Sequence, residues 1–227
     1  MNTKVTIRTI LSILYFSLIL FVITSCKSIT STDTDDEGLE DSLDTVEEVE
    51  LIPGAGNVTL IVNKTDRSYF SLEFLEIEEN NLIENGEGEG WCIDWESPIN
   101  SQNGTYTGIQ LYSTFGVEKW NELNMLLNMK DQLMAQDSSI SYREIQAAIW
   151  ALRPRPAFDL DNMDMESLPL DMAQSGELLF DLAKVKEIIK AAKVNAKSFS
   201  YNEQGKFAII AETPADIQTV ITVVSKR

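Results

Sequence analysis

Two short islands hold the residues whose types and spacing could do covalent chemistry. One is Trp91-Cys92-Ile93-Asp94, and the other, later in the chain, is Ile145-Gln146-Ala147-Ala148-Ile149-Trp150. A cysteine sulfur is a nucleophile once it loses its proton, so the first question is what could activate it. The sequence holds no histidine, and its 18 basic residues face 36 acidic ones for a net charge of −18. Without histidine there is no Ser/His/Asp or Cys/His arrangement and no imidazole-held zinc or haem. A hydrolase turning over on Cys92 would lack its base. So acidic a chain also speaks against a nucleic-acid partner, or an anionic membrane face bound through a basic patch. A carboxylate cluster at Asp159, Asp161, Asn162, Asp164 and Glu166 fails the EF-hand pattern. Met163 falls at the fifth loop position and Asp164 where glycine is required. A solvated acidic loop fits better, and no metal or cofactor is expected. Taken singly, each island also has an ordinary reading: a buried cysteine as a small apolar residue, and an amphipathic helix with glutamine on its polar side.

The elements that must position these residues are readable from periodicity. Val58–Val62 and Tyr69–Phe74 alternate as two strands around the polar turn at Lys64-Thr65-Asp66, with Phe70, Leu72 and Phe74 on one face. Gly86-Glu87-Gly88-Glu89-Gly90 is expected to be a flexible loop leading into Trp91. Helical spacing runs from Val117 to Ala135 through Trp120, Leu123, Leu127 and Met134. Ser139 or Ser141 caps a second helix through Ile145, Ala148 and Leu152, stopped by Pro154. A third helix is expected from a Ser175 cap, with Leu178, Leu182, Val185, Ile189 and Ala192 as its apolar stripe and lysines opposite. Phe207–Ile210 and Thr219–Val224 close the chain as strands. Strands, then helices, then strands is an α+β plan and not an alternating βαβ one.

The N-terminal part reads as an address. Lys4 and Arg8 precede the apolar run Ile10–Ile23, which is shorter than the ~20 residues a membrane-spanning helix needs. Its end, Ile23-Thr24-Ser25-Cys26, resembles a bacterial lipobox, which implies cleavage after residue 25 and lipidation of Cys26. The chain is then expected to be exported and held to the cell envelope through its lipid, at the outer membrane or cell surface. A short N-terminal anchor, or an ordinary signal peptide cut nearby, is the alternative. With Cys26 acylated, Cys92 is a lone thiol and no intramolecular disulfide can form. Ser31–Glu50 is rich in acidic residues and holds no basic one, the composition of a self-repelling tether. The expected organisation is a signal peptide over 1–25, lipidated cysteine and tether over 26–56, and one domain over 57–227.

Together, the two islands resemble the thioester domains of bacterial surface adhesins. In that family an aromatic-Cys-aliphatic-acidic segment and an aliphatic-Gln-x-x-aliphatic segment, commonly Thr-Gln-x-Ala-Ile-Trp, supply the two ends of an internal thioester. Gln146, Ala148, Ile149 and Trp150 match the second pattern, Ile145 replaces its threonine, and Trp91 stands where Tyr, Phe or Leu is usual. Tyr106, Tyr112 and the closing Gly205–Ile210 segment fall in the expected order, so the resemblance spans roughly 57–224. It implies a β-sandwich or barrel-like sheet with an inserted helical subdomain. It also implies a Cys92–Gln146 thioester, shielded from water by Trp150 and Trp91. Asp94 is a candidate to orient the sulfur or handle its proton. The implied function is single-turnover capture of an amine-bearing surface or envelope protein, with an isopeptide bond as product and no catalytic turnover. The alternative is a non-covalent binding or structural envelope lipoprotein that keeps the fold with a free Cys92.

Overall fold

The computed structural model describes residues 48–154, 158–200 and 205–225, all of which fall in one compact unit. The expected signal peptide, the expected lipidation site Cys26 and the expected tether up to residue 47 lie outside the described residues.

The alternation in Val58–Asn63 and Phe70–Leu75 gives two antiparallel strands, β2 and β3, after a two-residue strand β1 at Glu50–Leu51. Their buried positions, Val58, Leu60 and Val62 on one and Phe70, Leu72 and Phe74 on the other, form one apolar face. Next come β4 (Gly86–Cys92) and the long β5 (Gln102–Ser113). A 3-10 turn at Glu118–Trp120 leads into helix α1 (Asn121–Gln136), followed by α2 (Tyr142–Leu152). A small hairpin, β6 (Ala173–Gln174) and β7 (Glu177–Leu178), precedes α3 (Leu182–Ala196). Strands β8 (Lys206–Glu212) and β9 (Val220–Ser225) finish the fold. Strand order β5-β2-β3-β4-β9-β8, with β8 returning to β5, closes a six-stranded antiparallel barrel. α1 packs on β8, α2 on β4, and α3 on both helices. The fold is thus α+β, a barrel with three helices.

Two expectations are corrected. The glycine-rich stretch Gly86–Gly90 is not a loop; it is most of β4, paired to β3 from Phe74↔Gly86 to Phe70↔Gly90. Glycine is needed because neighbours lie on its backbone. A Cβ at Gly90 would stand 2.4 Å from Leu72 Cγ, and one at Gly88 2.8 Å from Thr222 Oγ1. A run of small residues that signals a turn in isolation therefore marks close approach inside a barrel wall. Ser175 caps no helix either. It sits at φ 55° in the hairpin turn, while Asp181 caps α3 by accepting hydrogen bonds from Ala183 N and Lys184 N. The buried face of α3 consequently runs through Val185, Ile188 and Ala192, with Ile189 only half-buried.

Strand β5 carries too many polar residues to announce itself by alternation. It bends where the pairing slips between Val58↔Ile109 and Leu60↔Tyr106, beside Gly108 at φ 75°.

Helix α1 and strand β8 are joined by side-chain amides. Asn124 Oδ1 accepts from Ala208 N at 2.9 Å. One turn on, Asn128 brackets Lys206, accepting from its N at 2.8 Å and donating to its O at 2.7 Å. A charged chain adds to this: Lys130, with its side chain 5% exposed, pairs with Glu89 of β4 at 2.7 Å and with Asp131, which also holds Lys206.

The close approach at Gly90 generates a direct expectation. Gly90→Ala forces the Leu72 side chain to move within a packed core and costs about 1–3 kcal/mol, read as a lower urea midpoint. Gly56→Ala, whose added Cβ would meet only Leu51 Cδ2 at an ordinary 3.8 Å, controls for glycine loss without crowding.

Candidate functional site

Helix α2 starts where the sequence placed a cap. Ser141 and Glu144 form a reciprocal capping box: Arg143 N donates to Ser141 Oγ, and Ser141 N to Glu144 Oε2 at 2.7 Å. The other Glu144 oxygen accepts from Asp181 N at 2.9 Å, so the same carboxylate ties the starts of α2 and α3. The helix ends at Leu152. Arg153, held extended (ψ 146°), precedes Pro154, as expected for a residue before proline.

This framing lays Gln146 against the end of β4. Cys92 N donates to Gln146 Oε1 at 2.9 Å, and Gln146 Nε2 donates to Cys92 O at 2.6 Å. The geometry follows from the barrel. Strand β4 is covered on one side by β9 through Cys92↔Val220, but β3 begins at Phe70, opposite Gly90. Past Gly90 the other edge of β4 has no strand partner, and the Gln146 amide takes that place. A buried amide and a buried peptide unit must each find partners, and here they satisfy one another. Cys92 and Gln146 are both fully buried.

The Cys92 thiol donates to the backbone carbonyl of Asp94. Burial pushes its pKa well up, and the Asp94 carboxylate adds to the rise. The Trp150 indole, the Asp94 backbone and Arg153 pull the other way, with less effect. Trp150 Nε1 has no conventional oxygen or nitrogen acceptor among the described residues; its influence is on the sulfur. Arg153 is itself brought down to about 10 by burial, against the charges of Asp94, Cys92 and Glu96.

Over this pair lies an aromatic cover. The Trp150 ring contacts Tyr69, Trp95 and Phe158 at centroid distances of 6.2, 6.3 and 5.3 Å. Trp95 and Phe158 meet edge to face at 4.7 Å, and the Arg153 guanidinium lies 4.6 Å over Trp95. Beside it, the Tyr69 hydroxyl donates to Asp171 Oδ1 at 3.0 Å, and its pKa is raised first by burial and then by Cys92 and Asp171. Lys64 pairs with Asp171, whose backbone O accepts from Arg143 Nε at 2.7 Å. The β2–β3 turn, through Lys64 and Tyr69, and α2, through Arg143, thus clasp the 158–181 connection at one residue.

The structure brings Cys92, Gln146, Asp94 and Trp150 together. Asp94 accepts the thiol's hydrogen bond at its backbone carbonyl and acts on it by charge through its carboxylate, while its Oδ1 accepts from Glu96 N at 3.0 Å and Ser97 N at 3.4 Å to close the turn after β4. Trp91 stands apart. Strand alternation turns it away from the Cys92 side chain, and Lys130 Nζ lies 5.8 Å from its ring. Tyr69, Trp95, Phe158 and Arg153 escaped the sequence reading, because nothing in their spacing ties them to Cys92.

No family model matches the chain, and no curated protein does. Among solved structures, the N-terminal domain of the Streptococcus pyogenes pilus tip adhesin Cpa is similar, with a TM-score of 0.43 and 10% identity over 78% of this chain and 96% of that one.

The buried thiol has a pH consequence. A thiol whose pKa is raised by folding stabilises the fold fully below its ordinary value of 9.0. That contribution falls as the pH climbs beyond 9.0 towards the raised value, because the unfolded chain releases the proton first. Between about pH 8 and 10, the urea midpoint should drop further for Gln146→Ala, which keeps the thiol, than for Gln146→Ala combined with Cys92→Ala.

Proposed function

We propose that this protein is an envelope-anchored surface protein, adhesin-like in its chemistry, that stores an acyl electrophile between Cys92 and Gln146 and spends it once on an amine-bearing partner. The observation that carries this reading is the doubly hydrogen-bonded contact of the Gln146 amide with Cys92, fully buried beneath Trp150. An amide is a poor acyl donor, so the fold must supply the difference. Enforced proximity of the reacting groups can be worth about 7–11 kcal/mol. The Cys92 N–H on Oε1 is placed to stabilise the oxyanion that develops when sulfur attacks the Gln146 carbonyl carbon.

The atoms balance without a cofactor. The Cys92 S–H and the Gln146 carboxamide become a thioester and ammonia, with the thiol proton leaving on the nitrogen. An incoming primary amine then attacks the same carbonyl carbon, the C–S bond breaks, and the products are an isopeptide bond and the Cys92 thiol. The dry aromatic cover suits such a bond, since it keeps water from competing with the amine. Lipidation at Cys26 would hold the domain near its membrane, and the partner would be a surface or envelope protein presenting lysine.

One observation favours a second reading. The Gln146 amide has both of its hydrogen bonds and the thiol has an acceptor at Asp94 O, so the pair is also a self-consistent structural clamp in a non-covalent scaffold. Intact mass separates the two. The protein should be lighter than its sequence by one ammonia, while Cys92→Ala and Gln146→Ala appear at full mass; methylamine should add its own mass to the lighter protein, leaving it one CH2 heavier than its sequence, and free one thiol. Full sequence mass with a reactive thiol on denaturation, in freshly purified protein, would sink covalent capture and leave the scaffold. In the covalent case Trp150→Ala should hydrolyse the bond several-fold faster, read by loss of the ammonia deficit with time.

A further inference from the structure

Lys64 is held as a visiting lysine would be. Its ammonium lies 2.5 Å from Asp171 Oδ2 and faces two aromatic rings, 4.4 Å from the centroid of Tyr69 and 5.1 Å from that of Phe70. A carboxylate flanked by ring faces is the chemistry that recognises an alkylammonium. The fold does not depend on this occupant. The Lys64 and Asp171 side chains are 46% and 27% exposed, and exposed pairs of this kind contribute about 0–1 kcal/mol. Another ammonium can replace Lys64 at small cost.

The Asp171 carboxylate faces two ways. Its Oδ2 meets Lys64 at the surface, and its Oδ1 accepts from the Tyr69 hydroxyl at 3.0 Å. Tyr69 is 2% exposed, and its ring meets that of Trp150 edge to face, with centroids 6.2 Å apart. Trp150 covers the Cys92–Gln146 pair, so a single buried side chain joins Asp171 to that cover. Arg143 Nε donates to the Asp171 backbone O at 2.7 Å, and Arg143 belongs to the helix that carries Gln146. The placement of the carboxylate and of the acyl group is therefore set by one element. Beside Asp171, Leu170 is 82% exposed and Leu179 38%, an uncovered apolar margin to an ion pair. The net charge of −18 draws cationic partners in from solution.

We propose that Asp171 and the Tyr69 ring receive the partner's lysine side chain, and that Lys64 is the placeholder it displaces. This rests on the covalent capture proposed for the Cys92–Gln146 pair and names the residue that selects an alkylammonium over an uncharged nucleophile. The arriving ammonium gives one proton to the Asp171 carboxylate and becomes a free amine. That amine attacks the Gln146 acyl carbon, the C–S bond breaks, and the nitrogen passes a second proton to the Cys92 sulfur. Water then takes the first proton from Asp171. The sum is an isopeptide bond, a thiol and one released proton. The residues flanking the lysine in the partner cover Leu170 and Leu179.

The test follows capture by intact mass in the full chain at neutral pH, with two nucleophiles. One is Nα-acetyl-lysine N-methylamide, whose side chain is charged; the other is hydroxylamine, which is uncharged. Lys64→Met should raise the lysine-to-hydroxylamine rate ratio several-fold and lower the half-saturating concentration of the lysine compound. Asp171→Asn, which keeps an oxygen for the Tyr69 hydroxyl, should lower the ratio several-fold, with an unchanged thermal midpoint showing that the fold is intact. About 1 M salt should bring the variants and wild type together, because the docking is electrostatic. Without an ammonia deficit in wild type, this proposal and covalent capture fall together. With the deficit present, equal ratios in wild type and both variants overturn this proposal alone. A Lys64–Gln146 isopeptide in the wild-type peptide map overturns it as well, since Lys64 would then be the acceptor and not the placeholder.

Discussion

One amide holds this molecule together at its most consequential point. The barrel wall leaves the last residue of β4 paired on one edge only, because β3 starts two residues short of it. A buried peptide unit without partners costs about 1–3 kcal/mol per orphaned group. The Gln146 side chain removes that cost by presenting an acceptor and a donor in the spacing of a strand backbone. Everything that positions α2 serves this contact: the Ser141 and Glu144 box that starts the helix, the Asp181 link to α3, and the stop before Pro154.

The same device recurs across the helical layer. Asn124 and Asn128 of α1 offer their amides to Ala208 and Lys206 of β8, as Gln146 of α2 offers its own to Cys92 of β4. Helices on a barrel cannot add a strand to it, but side-chain amides can imitate one for a residue or two. Such pairs are directional, so they fix the register of a helix along the wall more sharply than apolar packing does. The Glu89, Lys130, Asp131 and Lys206 network works beside them, tying β4 and β8 to one helix.

At Cys92 this structural role and the proposed chemistry share their atoms. The N–H that satisfies Gln146 Oε1 in the amide is the donor an oxyanion on that carbon would require. The dry, aromatic surroundings that raise the thiol pKa also keep the sulfur protonated at neutral pH. In the proposed reading that proton leaves with the Gln146 nitrogen as ammonia. The aromatic cover of Trp150, Trp95 and Phe158, with Asp171 clasped beside it, closes the pair off from bulk water.

Much of this was legible from the chain alone. The alternation of Phe70, Leu72 and Phe74, the Ser141 cap, the stop at Pro154 and the closing strands follow from periodicities of two and 3.6, which are local properties of the backbone. The two islands were legible as residue types, since the absence of histidine leaves few chemistries for Cys92. What the sequence could not decide is what meets across space. Gly86–Gly90 reads as a loop until Leu72 and Thr222 are placed against it, and polar β5 is a strand only because β2 and β8 flank it. The start of α3 fell to Asp181 and not Ser175 because the small hairpin claimed the serine. Local preference sets which conformation a segment favours. Only tertiary pairing determines which backbone edges remain open, and the Gln146–Cys92 contact exists because one of them did.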